Sequence, residues 1–186
     1  MLSLRFKDIL FMMLKTVFIL FLLDFLSATF LPTVSNYSFA ISFNLIVITY
    51  LSLHLLPSYL PFIILIINLF HSVFSIEGWA LGTFVGCLIS YIILILREMM
   101  QFTSYLMISL LMLFVQMLWS FISGFTLSLK TQEWEWLIVY ARHSIWQAVL
   151  LSLLAPLFFM LLNKIWSRKD DESQDTNSSS SIENLS

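Results

Sequence analysis

Six stretches of this sequence are apolar over lengths close to what a lipid bilayer demands, and together they take up most of the chain. At about 1.5 Å of rise per residue, a hydrocarbon core of roughly 30 Å needs about 20 helical residues per crossing. The stretches run from Ile9 to Leu31, Phe39 to Leu56, Tyr59 to Ile76, Trp79 to Leu96, Phe102 to Leu129 and Leu137 to Leu162. The third is set apart by Pro57 and Pro61 at one end, by Ser75, Glu77 and Gly78 at the other, and by Asn68 and His71 inside it. A short crossing and a re-entrant element packed inside protein are both open for it.

Composition says the same. Of 186 residues, 60% are hydrophobic and 11% charged, where a water-soluble domain averages roughly 45–50% and about 25%. That leaves too little polar surface to cover a globule in water, which excludes a soluble enzyme or binding domain. Eighteen Phe, nine Met and six Trp against four Gly and four Pro describe long helices rather than the alternation of an outer-membrane barrel. The expected fold class is therefore all-α, an integral membrane bundle of about six transmembrane helices.

The few charges give the expected orientation. Arg5, Lys7, Arg97, Lys164, Arg168 and Lys169, with Lys15 able to snorkel, fall on one side of a six-span topology, and Lys130 and Arg142 on the other. By the positive-inside rule both termini face the cytoplasm, and two basic ends on one side require an even number of spans. The N-terminal run MLSLRFKDILFMMLKTVFILFLL has about 20 apolar residues, longer than a signal-peptide core, and no small-residue cleavage pattern after it, so it is read as a retained first helix. The expected membrane domain covers 1–166. The Ser-rich, acidic stretch 167–186, SRKDDESQDTNSSSSIENLS, is expected to be a disordered cytoplasmic tail, because it has too little apolar area to offset ordering entropy.

Within the spans the clearest packing signal is Gly78, Gly82, Gly86 and Ser90. Four residues advance about 400° around a helix, so these positions form one smooth stripe that another backbone can approach closely. Packing within the bundle and a face for a partner protein are the two readings. Polar groups at membrane depth are Asp24, Asn44, Asn68, His71, Gln116, Arg142, His143 and Gln147; ionisable ones there raise a functional question by default. Asp24 and Arg142 stand at similar depth, open to an intramembrane polar pair or to simple interfacial placement. Asn68 precedes His71 by one turn on the same face, which suits a hydrogen bond to a neighbouring helix more than a proton relay. Trp134, Trp136, Tyr140 and Trp146 read as an interfacial aromatic belt and, for Trp134, Trp136 and Tyr140, as a periplasmic partner contact.

No H-E-x-x-H, G-x-S-x-G, P-loop or paired acidic motif occurs, and the single cysteine, Cys87, makes no intrachain disulfide or multi-cysteine metal site. A non-enzymatic protein without cofactor or metal is the expectation, and no basic stripe points to nucleic acid.

Three segments, NLIVITYLSLHLLPSYLPFIILIINLF, SIEGWALGTFVGCLISYIILILREMMQ and SLLAPLFFMLLNKIWSRK, resemble the MreD family of rod shape-determining membrane proteins. The most specific features are Pro156 in mid-helix, the aromatic pair Phe158 and Phe159, and the basic exit at Lys164, Arg168 and Lys169; Leu81 and Gly82 opening a helix that ends in Arg97 come second. The chain departs from the family at Ser42, Phe43 and Asn44, where many members carry an acidic pair, and around Asn68, His71 and Phe74, where they often carry an Asp. The resemblance covers about Phe39 to Arg168. It implies a multi-pass subunit of the cell-elongation machinery in the cytoplasmic (inner) membrane, binding MreC beside MreB, RodA and a penicillin-binding protein, and helping to place peptidoglycan synthesis. The alternative from the residues alone is the substrate-binding membrane subunit of a vitamin-type uptake transporter, with Asn68, His71, Gln147 and Arg142 lining an outward pocket.

Overall fold

The computed structural model describes residues 6–34, 42–74, 78–99 and 104–166, apart from the side chains of 6–8, 30–34, 99, 136, 139, 140 and 143. Every regular element among them is helical: α1 Phe6–Val34, α2 Phe43–His54, a 3-10 turn Pro57–Tyr59, α3 Leu60–His71, α4 Gly78–Met99, α5 Tyr105–Thr131 and α6 Glu135–Trp166. Each apolar stretch of the sequence has become a helix. The expected tail at 167–186 lies outside the described residues, as do the chain start at 1–5 and the first positions of the expected second span.

Four helices are long and apolar enough to cross a membrane, over Ile9–Thr29, Gly78–Glu98, Tyr105–Thr131 and Ser144–Trp166. The chain is a multi-pass membrane protein. Their outward faces carry Phe11, Leu14, Phe18, Phe84, Tyr91, Leu106, Phe121, Leu153 and Leu157, all exposed, a surface that only lipid or a partner can cover at low cost. By contrast α2 and α3 have 12 residues each, about 18 Å of rise. Pro57 heads the 3-10 turn and Pro61 lies in the first turn of α3. A proline there supplies no backbone N–H and holds its φ near −65°, so the chain breaks after α2 and restarts as α3.

One of the two shortest helices, α2, holds the middle. Ten consecutive residues of α2, Phe43 to Ser52, are buried, and α2 packs against each of the other five α-helices. A helix that is buried on every side lies at the centre of its bundle. On α1 the buried set is Ile9, Met13, Thr16, Val17, Leu20 and Asp24, a single stripe at helical spacing that reaches from the start of the helix to an acid. Inside α6, Pro156 is accommodated without ending the helix, as membrane helices commonly allow when neighbours satisfy the freed carbonyl.

Side-chain contacts fix how the helices run. Trp166 Nε1 donates to Thr16 Oγ1 at 3.0 Å, so the end of α6 lies beside the first half of α1. Tyr50 Oη donates to Asn163 Oδ1 at 3.4 Å, and Arg97 reaches the carbonyls of Ser52 and Leu55 at 3.5 and 3.4 Å. The last turns of α2, α4 and α6 therefore share one end of the bundle with the early part of α1. Asn44 meets Asn68 and Asp24 meets His71, which puts the start of α2, the end of α3 and the second half of α1 toward the other end. Successive helices alternate in direction. Lys15, Arg97 and Lys164 gather at the first end, while Lys130 and Arg142, at the facing ends of the antiparallel α5 and α6, stand at the second.

Candidate functional site: the polar interior of the bundle

Asp24 is the acid that a membrane interior tolerates least, and it is 3% exposed. Its Oδ2 lies 2.7 Å from Nδ1 of His71, the last residue of α3. Burying a charge is expensive unless a partner compensates it, and His71 is the partner that Asp24 meets. Phe21 closes edge-on against Phe74, with ring centroids 5.3 Å apart, and so continues the α1–α3 contact next to the pair. Of the readings open for Asp24 and Arg142, the structure forms no pair between the two: Asp24 turns into the bundle toward α3, whereas Arg142 is exposed on α6. Similar depth made the two acceptable partners, but the buried stripe of α1 faces α3.

One turn below His71, Asn68 joins three helices. Asn44 Nδ2 donates to Asn68 Oδ1 at 3.2 Å, and Asn68 Nδ2 donates to the Ile64 carbonyl at 3.0 Å. The glycines of α4 explain how a polar side chain fits there. A Cβ at Gly82 would stand 2.9 Å from Asn68 Oδ1, and one at Gly86 would stand 2.9 Å from Ile64 Cγ2 and 3.2 Å from Asn68 Nδ2. The stripe is thus the floor on which α3 lies. Ser90 continues it with a bond from Ser52 Oγ at 2.8 Å, so α2 is held to α4 by the same face. Gly78 differs: a Cβ there meets nothing within 4 Å, and its φ is +76°. It serves the backbone at the entry to α4, where an L residue would be strained.

A second polar cluster lies between α5 and α6. Gln116 Nε2 donates to Gln147 Oε1 at 3.1 Å and toward Ser120 Oγ at 3.3 Å. Ser123, Gly124 and Ser128 prolong the buried face of α5, and Ser144 is buried on α6 one turn from Gln147. Sequence reading placed Gln116 and Gln147 in membrane spans but assigned them no partners, and passed over the serines between; the usable signal was the spacing of Gln116, Ser120 and Ser123 at i, i+4 and i+7.

At the far end of the hairpin, α5 closes on Gln132 at φ 59°, and Trp134 is 61% exposed, its ring tilted against Phe125 with centroids 6.4 Å apart. The side chains of Trp136 and Tyr140, the other members of the expected outer contact, lie outside the described residues, as does that of His143. Of the four residues proposed to line a pocket, Asn68 and His71 are engaged with α2 and α1, Gln147 with α5, and Arg142 is exposed. Among the described residues no group of three or more His, Cys, Asp or Glu stands close enough to hold a metal ion. Compared with known proteins, the chain matches no family model, no curated protein and no solved structure.

Proposed function

We propose that this protein is a non-enzymatic, multi-pass subunit of the bacterial cell-elongation machinery, of the MreD kind. It would bind MreC in the cytoplasmic membrane and help to position peptidoglycan synthesis beside MreB, RodA and a penicillin-binding protein. The resemblance of three segments to that family supplies the identity. The structural observation that supports it is how the interior polar groups are used. Asp24 with His71, Asn44 with Asn68, Ser52 with Ser90, Gln116 with Gln147 and Thr16 with Trp166 each join two different helices. Such bonds fasten a bundle together, and polar side chains that bond helix to helix in this way suit a holding role better than chemistry.

The same reading takes α2 and α3 as short crossings packed against longer helices, giving six spans with both termini in the cytoplasm. Alternating helix directions support it, as does the gathering of Lys15, Arg97 and Lys164 at one end. Exposed Trp134, at the opposite end, then offers an anchor to a periplasmic partner.

Affinity purification of the tagged full chain from its native membrane tests the assignment. Recovery of MreC with the peptidoglycan synthases is expected, and Trp134→Ala should lower that recovery several-fold while leaving the melting temperature unchanged. Ligand-dependent thermal stabilisation by a vitamin, without recovery of those partners, would replace this reading by the uptake subunit.

A further inference from the structure

The α5–α6 hairpin buries more polar atoms than it pairs. Among the described residues, Gln116 Oε1, Ser123 Oγ and Ser144 Oγ, with Ser128 Oγ a further turn along α5, have no hydrogen-bond partner, although Gln116 is fully buried, Ser123 is 1% exposed and Ser144 is 3% exposed. Helical spacing sets Ser123 and Ser144 within two turns of the Gln116–Gln147 contact, Ser123 on the face of Gln116 and Ser144 close to the face of Gln147. Gln116 and Gln147 are bonded across the α5–α6 seam, which sets the register of the two antiparallel helices. Counting from that level toward the α5–α6 turn, Ser144 stands about 4.5 Å along α6 and Ser123 about 10.5 Å along α5. Ser120, already engaged by Gln116, lies between. The result is a polar file on facing helices, two turns long, with Trp119 buried within its span on α5 and Val115 and Ala148 buried at its Gln116–Gln147 end.

We infer that this seam is a hydration site, in which a short file of water bridges Gln116 Oε1, Ser144 Oγ and Ser123 Oγ and so joins α5 to α6. Three features of the seam select water over other guests. The seam residues are an amide and hydroxyls with no carboxylate, lysine or arginine among them, so neither a cation nor an anion finds a counter-charge. The unpaired groups include an obligate acceptor, Gln116 Oε1, and hydroxyls that both donate and accept, which a molecule with two donors and two acceptors satisfies together. Polar atoms at this depth have no lipid partner to turn to, so leaving them bare is the costlier state. This inference is independent of the proposed role, since it concerns how the hairpin is held and not what it binds.

A double-mutant cycle on the full chain in bicelles tests it, with Ser123→Ala, Ser144→Ala and the pair compared by reversible unfolding. Each single variant is expected to lower the folding equilibrium constant at least threefold. The double variant should lose distinctly less than the product of the two, because removing either hydroxyl releases the water that the other uses. Bare hydroxyls would give the opposite sign, a gain in stability from each alanine, and hydroxyls bonded only to their own helix would give losses that multiply independently; either result overturns the inference. A second measurement needs no variant: magnetisation transfer from water to the Gln116 side-chain amide is expected in the wild-type protein, and its absence would remove the site.

Discussion

Asp24 Oδ2 and His71 Nδ1 stand 2.7 Å apart, joining the second half of α1 to the last residue of α3 across 47 positions of sequence. The carboxylate is almost wholly buried, and the imidazole is 12% exposed. α1 otherwise meets the bundle through aliphatic side chains, Thr16 and the Phe21–Phe74 edge contact. The pair and the Trp166–Thr16 bond are therefore directional parts of that interface.

Removing one partner should cost more than removing both. Asp24→Leu leaves His71 without its acceptor, and His71→Leu leaves a buried carboxylate uncompensated, a loss of about 3 kcal/mol or more when a buried pair is broken. The double replacement takes both polar groups out of the interior and is expected to recover a large part of that loss. Unfolding in mixed micelles measures all three, and additive losses would show that the two side chains do not act as a unit.

The glycines of α4 should separate by position. At Gly86 a leucine meets Ile64 and Ile48, both in the buried core, and an overpacked site of this kind costs about 1–3 kcal/mol. Gly82→Leu displaces the Asn68 amide and breaks its bond to Asn44, so it too should lower the melting temperature. Gly78→Ala meets no neighbour, but its φ of +76° makes it unfavourable by about 1 kcal/mol from the backbone alone. If Gly78→Ala were as damaging as Gly86→Leu, the packing account of the stripe would fail.

Both ends of the described chain should report from the same side of the membrane. The Trp166–Thr16 bond places the end of α6 beside the first half of α1. Reporter fusions before Phe6 and after Trp166 are expected to be active together in the cytoplasm, and a fusion in the α5–α6 turn at Gln132 to be active outside. Opposite sidedness of the two terminal fusions would exclude an even number of crossings.

Much of the fold was legible because lipid imposes a simple rule on sequence: every backbone polar group must be bonded internally, so an apolar run becomes a helix. The six stretches each became one, and the spacing of Gly82, Gly86 and Ser90 identified a close-packing face on α4. Less legible was the site. Asp24 faced a choice between partners of equal apparent depth, and only the rotation of α1, set by the burial of Met13, Val17 and Leu20, turned it to His71 rather than Arg142. The serines of α5 carry little hydropathy signal; their meaning came from α6 lying opposite.

That this chain lives in lipid as helices, where its basic residues fall and which face of α4 is smooth can all be read from the residues in order, because solvent preference and helical period are local properties. The break at Pro57 was already written in the prolines; that α2 takes the centre came only with the packing. The packing also decided that Asn44, Asn68, Gln116 and Gln147 bond between helices. A buried polar group has many acceptable partners in one dimension, and its actual one is chosen by the packing that brings two faces within hydrogen-bond reach.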